Sequence, residues 1–299
     1  MLSAGNGGSI IMPDEHYVLE QAGVLSTRTY SKTLMSSFNP MQDANVFFWH
    51  RGEISNLQRM LPPHTQATKD CTSHAWAVAL QDWLLCSFGS WYGEVATEAL
   101  YGGSRIQIGK GRLKQPGSCC AWVAAFIVQY GLLARGNYGN YSLASYNPEL
   151  AAAFGASGVP EELLPLFKKP PVELSLREDR VRVAKLTSGK DAWDAVQYYS
   201  PVVFATKQGF QMVRGDNGIC APEGVWNHSM VVRGRCTVKG GRQCMVIQNS
   251  VGDYLGTTNQ AVALEYEETV LLKLPAGVFL MDLEVFDGIC RTEDAYAIF

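Results

Sequence analysis

The fold is decided by residues 66–77, Gln-Ala-Thr-Lys-Asp-Cys-Thr-Ser-His-Ala-Trp-Ala, where a cysteine stands just ahead of a helical pattern. This pattern is an apolar stripe at i, i+4, i+7 and i+8, typical of a helix packed on a core, and it consists of Trp76, Leu80, Trp83 and Leu84. A cysteine at a helix amino terminus beside an imidazolium has a depressed pKa and reacts as a thiolate. Cys71 meets the first condition, although a cysteine considered alone is usually a buried core residue.

The composition limits the classes of partner. The chain has 299 residues, 47% of them hydrophobic, which is enough to fill a substantial core. Its 25 Lys and Arg residues against 28 Asp and Glu leave a net charge of −3, so no basic surface for nucleic acid is expected. The longest apolar runs, 121–128 and 269–274, are shorter than the roughly 20 residues of a membrane helix. We therefore predict no nucleic-acid and no membrane partner.

The amino terminus lacks a basic segment followed by an apolar one, so we infer no secretory signal and expect a cytoplasmic or virion-associated protein. The 8 cysteines are too dilute for a disulfide framework and show no paired C-x-x-C spacing of a zinc site, so most are expected to be reduced. A two-residue turn at Gly240-Gly241 would pair Cys236 with Met245, which argues against a bridge between Cys236 and Cys244.

We predict two segments. Residues 1–60 have Gly-rich and Ser/Thr-rich pieces without sustained periodicity, which indicates an extended arm or pro-segment. This arm is expected to pack on the domain or on a partner subunit. Residues 61–299 are predicted to form a single α+β domain of two lobes with the active cleft between them.

The helical lobe is expected around residues 70–135, with a second helix over 121–130 that ends at Gly131 and a Gly-rich loop from Gly102 to Ser118. A short helix is predicted over 191–199. Short runs rich in β-branched residues follow and predict an antiparallel β lobe; they cover residues 201–206, 228–235, 244–250 and 261–266.

Two later blocks complete a pattern with residues 66–77. They are Trp226-Asn-His-Ser-Met-Val-Val-Arg-Gly234 and Ile247-Gln-Asn-Ser-Val-Gly-Asp-Tyr-Leu-Gly256. In the order Cys, His, Asn, the three blocks resemble the catalytic blocks of the papain-like cysteine peptidase superfamily, and the resemblance runs from about residue 60 to 290. His228 follows Cys71 by 157 residues and Asn249 follows it by 178, beyond the roughly 130–150 of papain-type enzymes. An insertion in the middle of the chain would account for the excess.

The resemblance implies a role for each matching residue. Cys71 would be the nucleophile, His228 its base and later the acid, and Asn249 the residue that orients the imidazole. The Gln66 amide and the backbone N–H of Cys71 would form the oxyanion hole. Substrate contacts are expected at Gly117, Ser118, Asn227 and Ser229.

The blocks depart from the family pattern in three ways. The family has a tryptophan directly after the nucleophile, whereas here Trp76 follows five residues later and His74 lies between. Gln66 is one residue closer to the cysteine than is usual. Val251 occupies the position of the tryptophan that shields the asparagine–histidine hydrogen bond, so activity is less firmly implied than fold.

A rival nucleophile remains open. Residues 115–122, Gln-Pro-Gly-Ser-Cys-Cys-Ala-Trp, also look like the family's cysteine block, so Cys119 and Cys120 are alternatives to Cys71. Cys71 is preferred, because otherwise the Trp-rich helix after Ser73 would lie outside the domain without a role. The remaining histidines are interpreted as surface or satisfied core groups; they are His16, His50, His64 and His74.

The resemblance implies hydrolysis of a peptide substrate through an acyl-thioester on Cys71, with no metal or organic cofactor. One alternative is a papain-fold structural or assembly protein, for example in a virus particle, with weak or no turnover. Partner subunits would then be held by residues 1–60. Another is a cysteine amidase acting on cell-wall or ubiquitin-like substrates.

Overall fold

A computed structural model describes residues 45–54, 57, 59, 61–88, 94–168, 181–251, 260–264 and 271–299. The prediction for residues 1–44 therefore lies outside the described residues. Within the described ranges, no helix combines the length and the apolar character needed to cross a membrane.

The chain forms helices first and a sheet afterwards. The helices are α1 (Cys71–Phe88), α2 (Thr97–Gly102), α3 (Cys120–Tyr130), α4 (Pro148–Ser157), α5 (Gly189–Gln197) and α6 (Leu283–Thr292). Two π-helical turns cover Trp49–Ile54 and Gly103–Ile108, and a 3-10 turn covers Leu164–Lys168. The strands are β1 (Val46–Phe47), β2 (Asn137–Tyr138), β3 (Tyr141–Ser142), β4 (Val183–Lys185), β5 (Val202–Phe210), β6 (Pro222–Val238), β7 (Arg242–Gln248), β8 (Gln260–Ala263), β9 (Leu271–Leu274), β10 (Val278–Asp282) and β11 (Asp294–Ile298).

The main sheet has 7 strands in the order β10-β7-β6-β5-β11-β4, with β1 paired to the far end of β6. All of its strand pairs are antiparallel. Along β5, Val203 faces the core that contains α1 and α3, whereas Val202 and Phe204 face the core that contains α5 and α6. Because both faces are covered, consecutive residues are buried along much of β5, β6 and β7. The predicted α+β fold of a helical lobe and an antiparallel β lobe is confirmed.

Helix α1 begins at Cys71, two residues before the predicted start. The backbone N–H groups of Ser73 and His74 donate to the carbonyl of Asp70, which closes the first turn. The helix is buried on nearly every side, including all four residues of the predicted stripe. Its first residue therefore lies where the helix enters the core, and its terminal N–H groups have no intrahelical acceptor.

The Gly-rich stretch is not wholly a loop, because Gly103–Ile108 forms a helical turn. A Cβ on Gly103 would lie 2.3 Å from the Phe126 ring, and one on Gly109 would lie 2.5 Å from the Trp122 ring. These glycines allow the aromatic side chains of α3 to approach the backbone closely. The prediction of a loop was therefore wrong for Gly103–Ile108.

The predicted hairpin register was also wrong. Strand β6 pairs Val238 with Arg242, so three residues form the turn, and Cys236 lies opposite Cys244. Gly240 and Gly241 both have positive φ values, 96° and 78°, which suits a glycine turn. The one-residue difference places the two cysteines opposite each other, and both thiols are free.

The last part of the predicted arm packs on the domain. Val46 and Phe47 pair with Arg235 and Gly234 of β6, next to the end of β5, and Trp49 is fully buried. Residues 45–54 thus contribute to the core. The division into a 1–60 arm and a 61–299 domain stays a prediction.

A buried ion network ties this segment to α1 and the sheet. Strand β6 carries one extra residue, Arg233, where Val232 and Gly234 pair with consecutive residues of β7. The Arg233 guanidinium contacts Asp82 of α1, Glu53 and Gln248, and all four side chains are buried. Burial raises the pKa of Asp82 to about 6, against the attraction of Arg233. Removing one partner would leave uncompensated charge in the core.

We expect Arg233→Met to lower the free energy of unfolding by about 3–5 kcal/mol, since two buried carboxylates lose their counter-charge. The matched control is Arg242→Met, because Arg242 pairs with Asp282 but its side chain is 52% exposed, against 3% for Arg233. Exposed pairs contribute about 0–1 kcal/mol. Urea unfolding measures both, and equal losses would contradict the importance of the buried network.

Candidate active site

The three residues of the predicted triad come from separate elements. Cys71 is the first residue of α1, His228 lies on β6 opposite Thr206 of β5, and Asn249 directly follows β7. They meet where the amino end of α1 packs against the sheet. The chain order Cys, His, Asn thus corresponds to one spatial cluster.

The Cys71 thiol lies beside the His228 ring and the backbone N–H of Ser229. Burial raises the pKa of the thiol and the charge of Asp70 raises it further, but His228 and the Ser229 N–H lower it more, so the pKa of Cys71 lies below its ordinary value. Burial lowers the pKa of His228, but Cys71 and Asn249 outweigh it and raise that pKa. Both shifts favour a thiolate beside an imidazolium.

The Asn249 side chain fixes the orientation of the imidazole. Its Oδ1 lies 2.7 Å from Nε2 of His228, so Nε2 carries a proton and the other ring nitrogen is left for Cys71. The Asn249 backbone N–H donates to the Gly277 carbonyl at 2.9 Å, and the residue is only 2% exposed. The histidine can therefore hold a single rotamer while its proton moves.

Although residue 251 is a valine, an aromatic side chain from β6 lies against His228. The Trp226 ring, two residues earlier on the same strand face, meets the His228 ring edge-on with centroids 6.1 Å apart. Val251 instead forms an isolated antiparallel bridge with Thr65. His228 therefore has an aromatic neighbour, Trp226, although position 251 holds a valine.

Gln66 is attached to the segment that follows Asn249. Its backbone N–H donates to the Ser250 carbonyl at 2.9 Å, and its side-chain oxygen accepts from the Ser250 hydroxyl at 2.7 Å. One N–H of its amide donates to the Thr68 carbonyl at 3.2 Å. This arrangement fixes which end of the amide is the nitrogen and leaves its second N–H available.

The turn between Gln66 and Cys71 is held by Tyr146, a residue that the sequence analysis missed. The Tyr146 hydroxyl accepts from the Ala67 N–H at 3.3 Å and donates to Oδ2 of Asp70 at 2.9 Å. Burial, together with the nearby carboxylate, raises the pKa of Tyr146 to about 12. The hydroxyl therefore stays protonated and can hold Asp70. Its distance of 76 residues from Asp70 in the chain left no sequence signal.

The rival cysteines lie in the core. Cys119 and Cys120 are buried, and burial raises the pKa of Cys120 well above its ordinary value. The Cys120 sulfur lies 3.6 Å from the Ser229 hydroxyl, which is also 3.0 Å from the Thr72 hydroxyl. Cys71 is the only one of the eight cysteines, all of them described, that is not buried. The buried Ser229 side chain cannot touch a substrate, so its contact with the site is through the backbone.

The remaining predicted substrate contacts are partly exposed. Gly117 has a φ of 130°, and nothing lies within 4 Å of a Cβ built on it. However, its N–H donates to the Tyr101 hydroxyl at 3.0 Å, and its carbonyl accepts from Arg105. Gly117 therefore offers an open surface but not a free N–H. Ser118 and Asn227 are partly exposed beside it and beside His228, respectively.

Among the described residues, no cluster of three or more His, Cys, Asp or Glu side chains has the arrangement of a metal site. His16 lies outside the described residues, and the side chain of His50 is not described. His64 and His74 contact each other, with their Nδ1 atoms 3.2 Å apart. No spacing in the sequence indicated that His64 and His74 would lie close together.

Comparison with known proteins shows the fold. No family model matches the sequence, and no curated protein matches it significantly. The chain is similar to the structure of digestive procathepsin L 3 of Tenebrio molitor larval midgut, with a TM-score of 0.53 at 15% identity over 95% of this chain and 78% of that one. It is equally similar to procathepsin L2 proteinase from the same source, with a TM-score of 0.53 at 13% identity over 96% and 80% of the two chains. The chain therefore has a papain-like fold.

We expect Cys71 to be alkylated by iodoacetamide faster than Cys120 near neutral pH, because only a thiolate reacts. With rising pH, the rate should reach its midpoint below the ordinary thiol pKa, the direction of the Cys71 shift. In His228→Ala, burial and Asp70 remain while the lowering charge is lost, so the midpoint should move above the ordinary value. Mass-spectrometric mapping over a pH series measures both, and an unchanged midpoint in the variant would contradict the pairing.

Proposed function

We propose that this chain, which has the papain-like fold, is a cysteine peptidase with Cys71 as its nucleophile. One observation carries the proposal: the only one of the eight cysteines that is partly exposed lies beside His228, which is held in turn by Asn249. A nucleophile, a base and a residue that orients the base are the three parts that thiol catalysis needs.

The proposed reaction proceeds in two halves. The Cys71 thiolate attacks the peptide carbonyl carbon, and the carbonyl π electrons move to oxygen. As the tetrahedral species collapses, the C–N bond breaks and the His228 imidazolium gives its proton to the leaving amine. The resulting acyl-thioester is attacked by water, from which neutral His228 takes a proton. Collapse then releases the carboxylic acid and restores the thiolate–imidazolium pair.

Two donors are available for the oxyanion. The backbone N–H of Cys71 is at the first position of α1, where no intrahelical acceptor exists. The second N–H of the Gln66 amide is free of the bonds that fix the side chain to Ser250 and Thr68. Each such donor contributes about 2.7–4 kcal/mol to transition-state stabilisation in comparable sites.

One observation favours the alternative of a structural or assembly protein with weak turnover. The Gly117 N–H is occupied by the Tyr101 hydroxyl, so it cannot pair with the backbone of an extended peptide unless that bond opens. A cysteine amidase is the less favoured alternative, because cell-wall amidases have a far shorter interval from cysteine to histidine. A substrate-profiling library separates the amidase from the peptidase.

We expect Cys71→Ala to abolish peptide cleavage and Gln66→Ala to lower kcat by roughly 10²–10³, because one oxyanion donor is lost. Cys120→Ala is the matched control, since it removes a buried thiol near the site and should retain activity. Cleavage of a fluorogenic peptide library measures all three. Activity that survives in Cys71→Ala would reject the proposal, whereas rapid alkylation of Cys71 without any cleavage would favour the assembly protein.

A further inference from the structure

Arg105 is a buried cation whose hydrogen-bond partners are backbone carbonyl groups. The residue is only 8% exposed. Its guanidinium donates to four carbonyls: from Nε to Gly155 at 2.8 Å, from Nη1 to Gln115 at 2.9 Å and to Gly117, and from Nη2 to Leu113 at 3.2 Å. Three of these carbonyls belong to alternate residues of one loop, 113–118. One side chain therefore fixes the course of that loop.

The set of acceptors explains why an arginine is needed here. A buried charge must be compensated, and among the described residues none of the partners of Arg105 is a carboxylate, so carbonyl dipoles balance it. A guanidinium has five N–H donors in a planar fork, whereas a lysine ammonium has three donors on a flexible stem. The Gly155 carbonyl is among the last four of α4, which have no intrahelical acceptor, so the Nε bond also satisfies a helix end.

The helices that carry Arg105 and its partner Gly155 pack closely. Helix α2 continues directly into the turn Gly103–Ile108 that contains Arg105. A Cβ on Gly102 would lie 2.6 Å from the Cβ of Phe154, and one on Gly155 would meet the Tyr101 ring. Glycine at both positions allows α2 and α4 to approach this closely. Arg105 is therefore held by a tightly packed part of the helical lobe.

Tyr101, four residues before Arg105, contacts the same loop. Its hydroxyl accepts from the Gly117 N–H at 3.0 Å, and the Arg105 Cζ atom lies 5.4 Å from its ring centroid. Both backbone groups of Gly117 are thus engaged, the N–H by Tyr101 and the carbonyl by Arg105. Burial raises the pKa of Tyr101, and the charges of Asp70 and Cys71 raise it further, against the Gly117 N–H and Arg105. The hydroxyl therefore stays neutral.

The loop lies beside the proposed nucleophile. The Ser118 carbonyl is 3.4 Å from the hydroxyl of Thr72, the residue after Cys71. The Ser118 hydroxyl is 2.7 Å from that of the buried Ser104. Gly117 is open on its outer side, because nothing lies within 4 Å of a Cβ built on it. The loop thus presents an open surface near Cys71 while its backbone is tied to the helical lobe.

We propose that Arg105, together with Tyr101, holds residues 113–118 as a preformed wall of the substrate cleft beside Cys71. Both are positioning residues, because they contact the loop and not a substrate. A wall that is ordered before binding spares the substrate the free energy of ordering it. Loss of these contacts should therefore weaken substrate binding more than it slows the chemical step. The inference rests on the proposed function, because the wall belongs to the same cleft.

The first test measures how firmly the loop is held in the resting full-length protein. Amide hydrogen exchange over residues 113–118, followed by mass spectrometry, reports how often the loop opens. Arg105→Lys keeps the charge but not the four carbonyl bonds. We expect exchange at Gly117 to become at least about tenfold faster, because hydrogen bonds from a charged group are lost. Unchanged exchange in a folded Arg105→Lys protein would overturn the proposal.

Arg112→Lys is the matched control for this measurement. Arg112 directly precedes the loop, is partly exposed, and donates to the Gly109 carbonyl at 3.1 Å within its own turn. Its guanidinium lies 5.1 Å from the Trp122 ring centroid. The same substitution therefore removes a nearby guanidinium without removing a contact to the loop, and exchange over 113–118 should match the wild type. Equal acceleration in both variants would contradict a specific role for Arg105.

The second test separates KM from kcat with a fluorogenic peptide substrate. We expect Arg105→Lys to raise KM at least about tenfold and to leave kcat within about twofold, because the loss is in binding. Tyr101→Phe removes only a hydroxyl and should raise KM by a smaller factor. If thermal unfolding shows that Arg105→Lys does not fold, Tyr101→Phe decides the proposal alone.

Three kinetic results would count against the wall. They are an unchanged KM in both variants, a loss confined to kcat, and a fall in KM for Tyr101→Phe. The last would mean that the Tyr101 hydroxyl competes with the substrate for the Gly117 N–H. A wild-type protein that cleaves no peptide would instead reject the proposed function, while hydrogen exchange would still decide whether Arg105 holds the loop.

Discussion

The alignment of helix α1 along strand β6 is the constraint on which the rest of the structure depends. Two polar contacts fix it, Cys71 with His228 at one end and Asp82 with Arg233 at the other. Asp82 lies eleven positions after Cys71 along the helix, about 16.5 Å at ~1.5 Å per residue. Arg233 lies five positions after His228 along the strand, at most about 17 Å at ~3.4 Å per residue because the strand bulges at Arg233. The two lengths match, so both contacts can form at once.

This match explains why the network at Arg233 matters to a site that lies a helix length away. A shift of α1 along β6 would break both contacts together, because each joins a residue of the helix to a residue of the strand. The Thr72 and Ser229 hydroxyls, 3.0 Å apart, add a neutral contact of the same kind beside Cys71. The position of the thiol is therefore set by the whole length of the helix, and not only by its first turn.

The sequence contained much of this arrangement, but unevenly. The blocks around Cys71, His228 and Asn249 predicted the papain-like α+β fold, which is confirmed, and they named three side chains that the structure brings together. Their local signals were strong because a helix start and two strands each have their own residue pattern. The site roles stay predictions.

Contacts between distant segments had no such signal. Tyr146 holds Asp70 from another part of the chain, and His64 reaches His74 from before the helix, so neither produced a spacing that could be recognised. The loop predicted at Gly103 failed for a related reason, since the demand for a glycine came from the Phe126 ring on another helix. The glycines were interpreted as a loop, because nothing in the local sequence showed that Phe126 would pack against the backbone there.

Val251 stands where the papain-like pattern has a tryptophan, and the contacts around it show how a valine fits at this position. In an extended backbone a β-branched residue is favoured. Val251 forms a bridge to Thr65, and the next residue, Gln66, donates its backbone N–H to the Ser250 carbonyl. An aromatic ring still lies against the histidine, because Trp226 is on the same face of β6 two residues before it. Asn249 is buried with its hydrogen bond to His228 intact. A valine at position 251 therefore does not require that the asparagine–histidine pair be open to water.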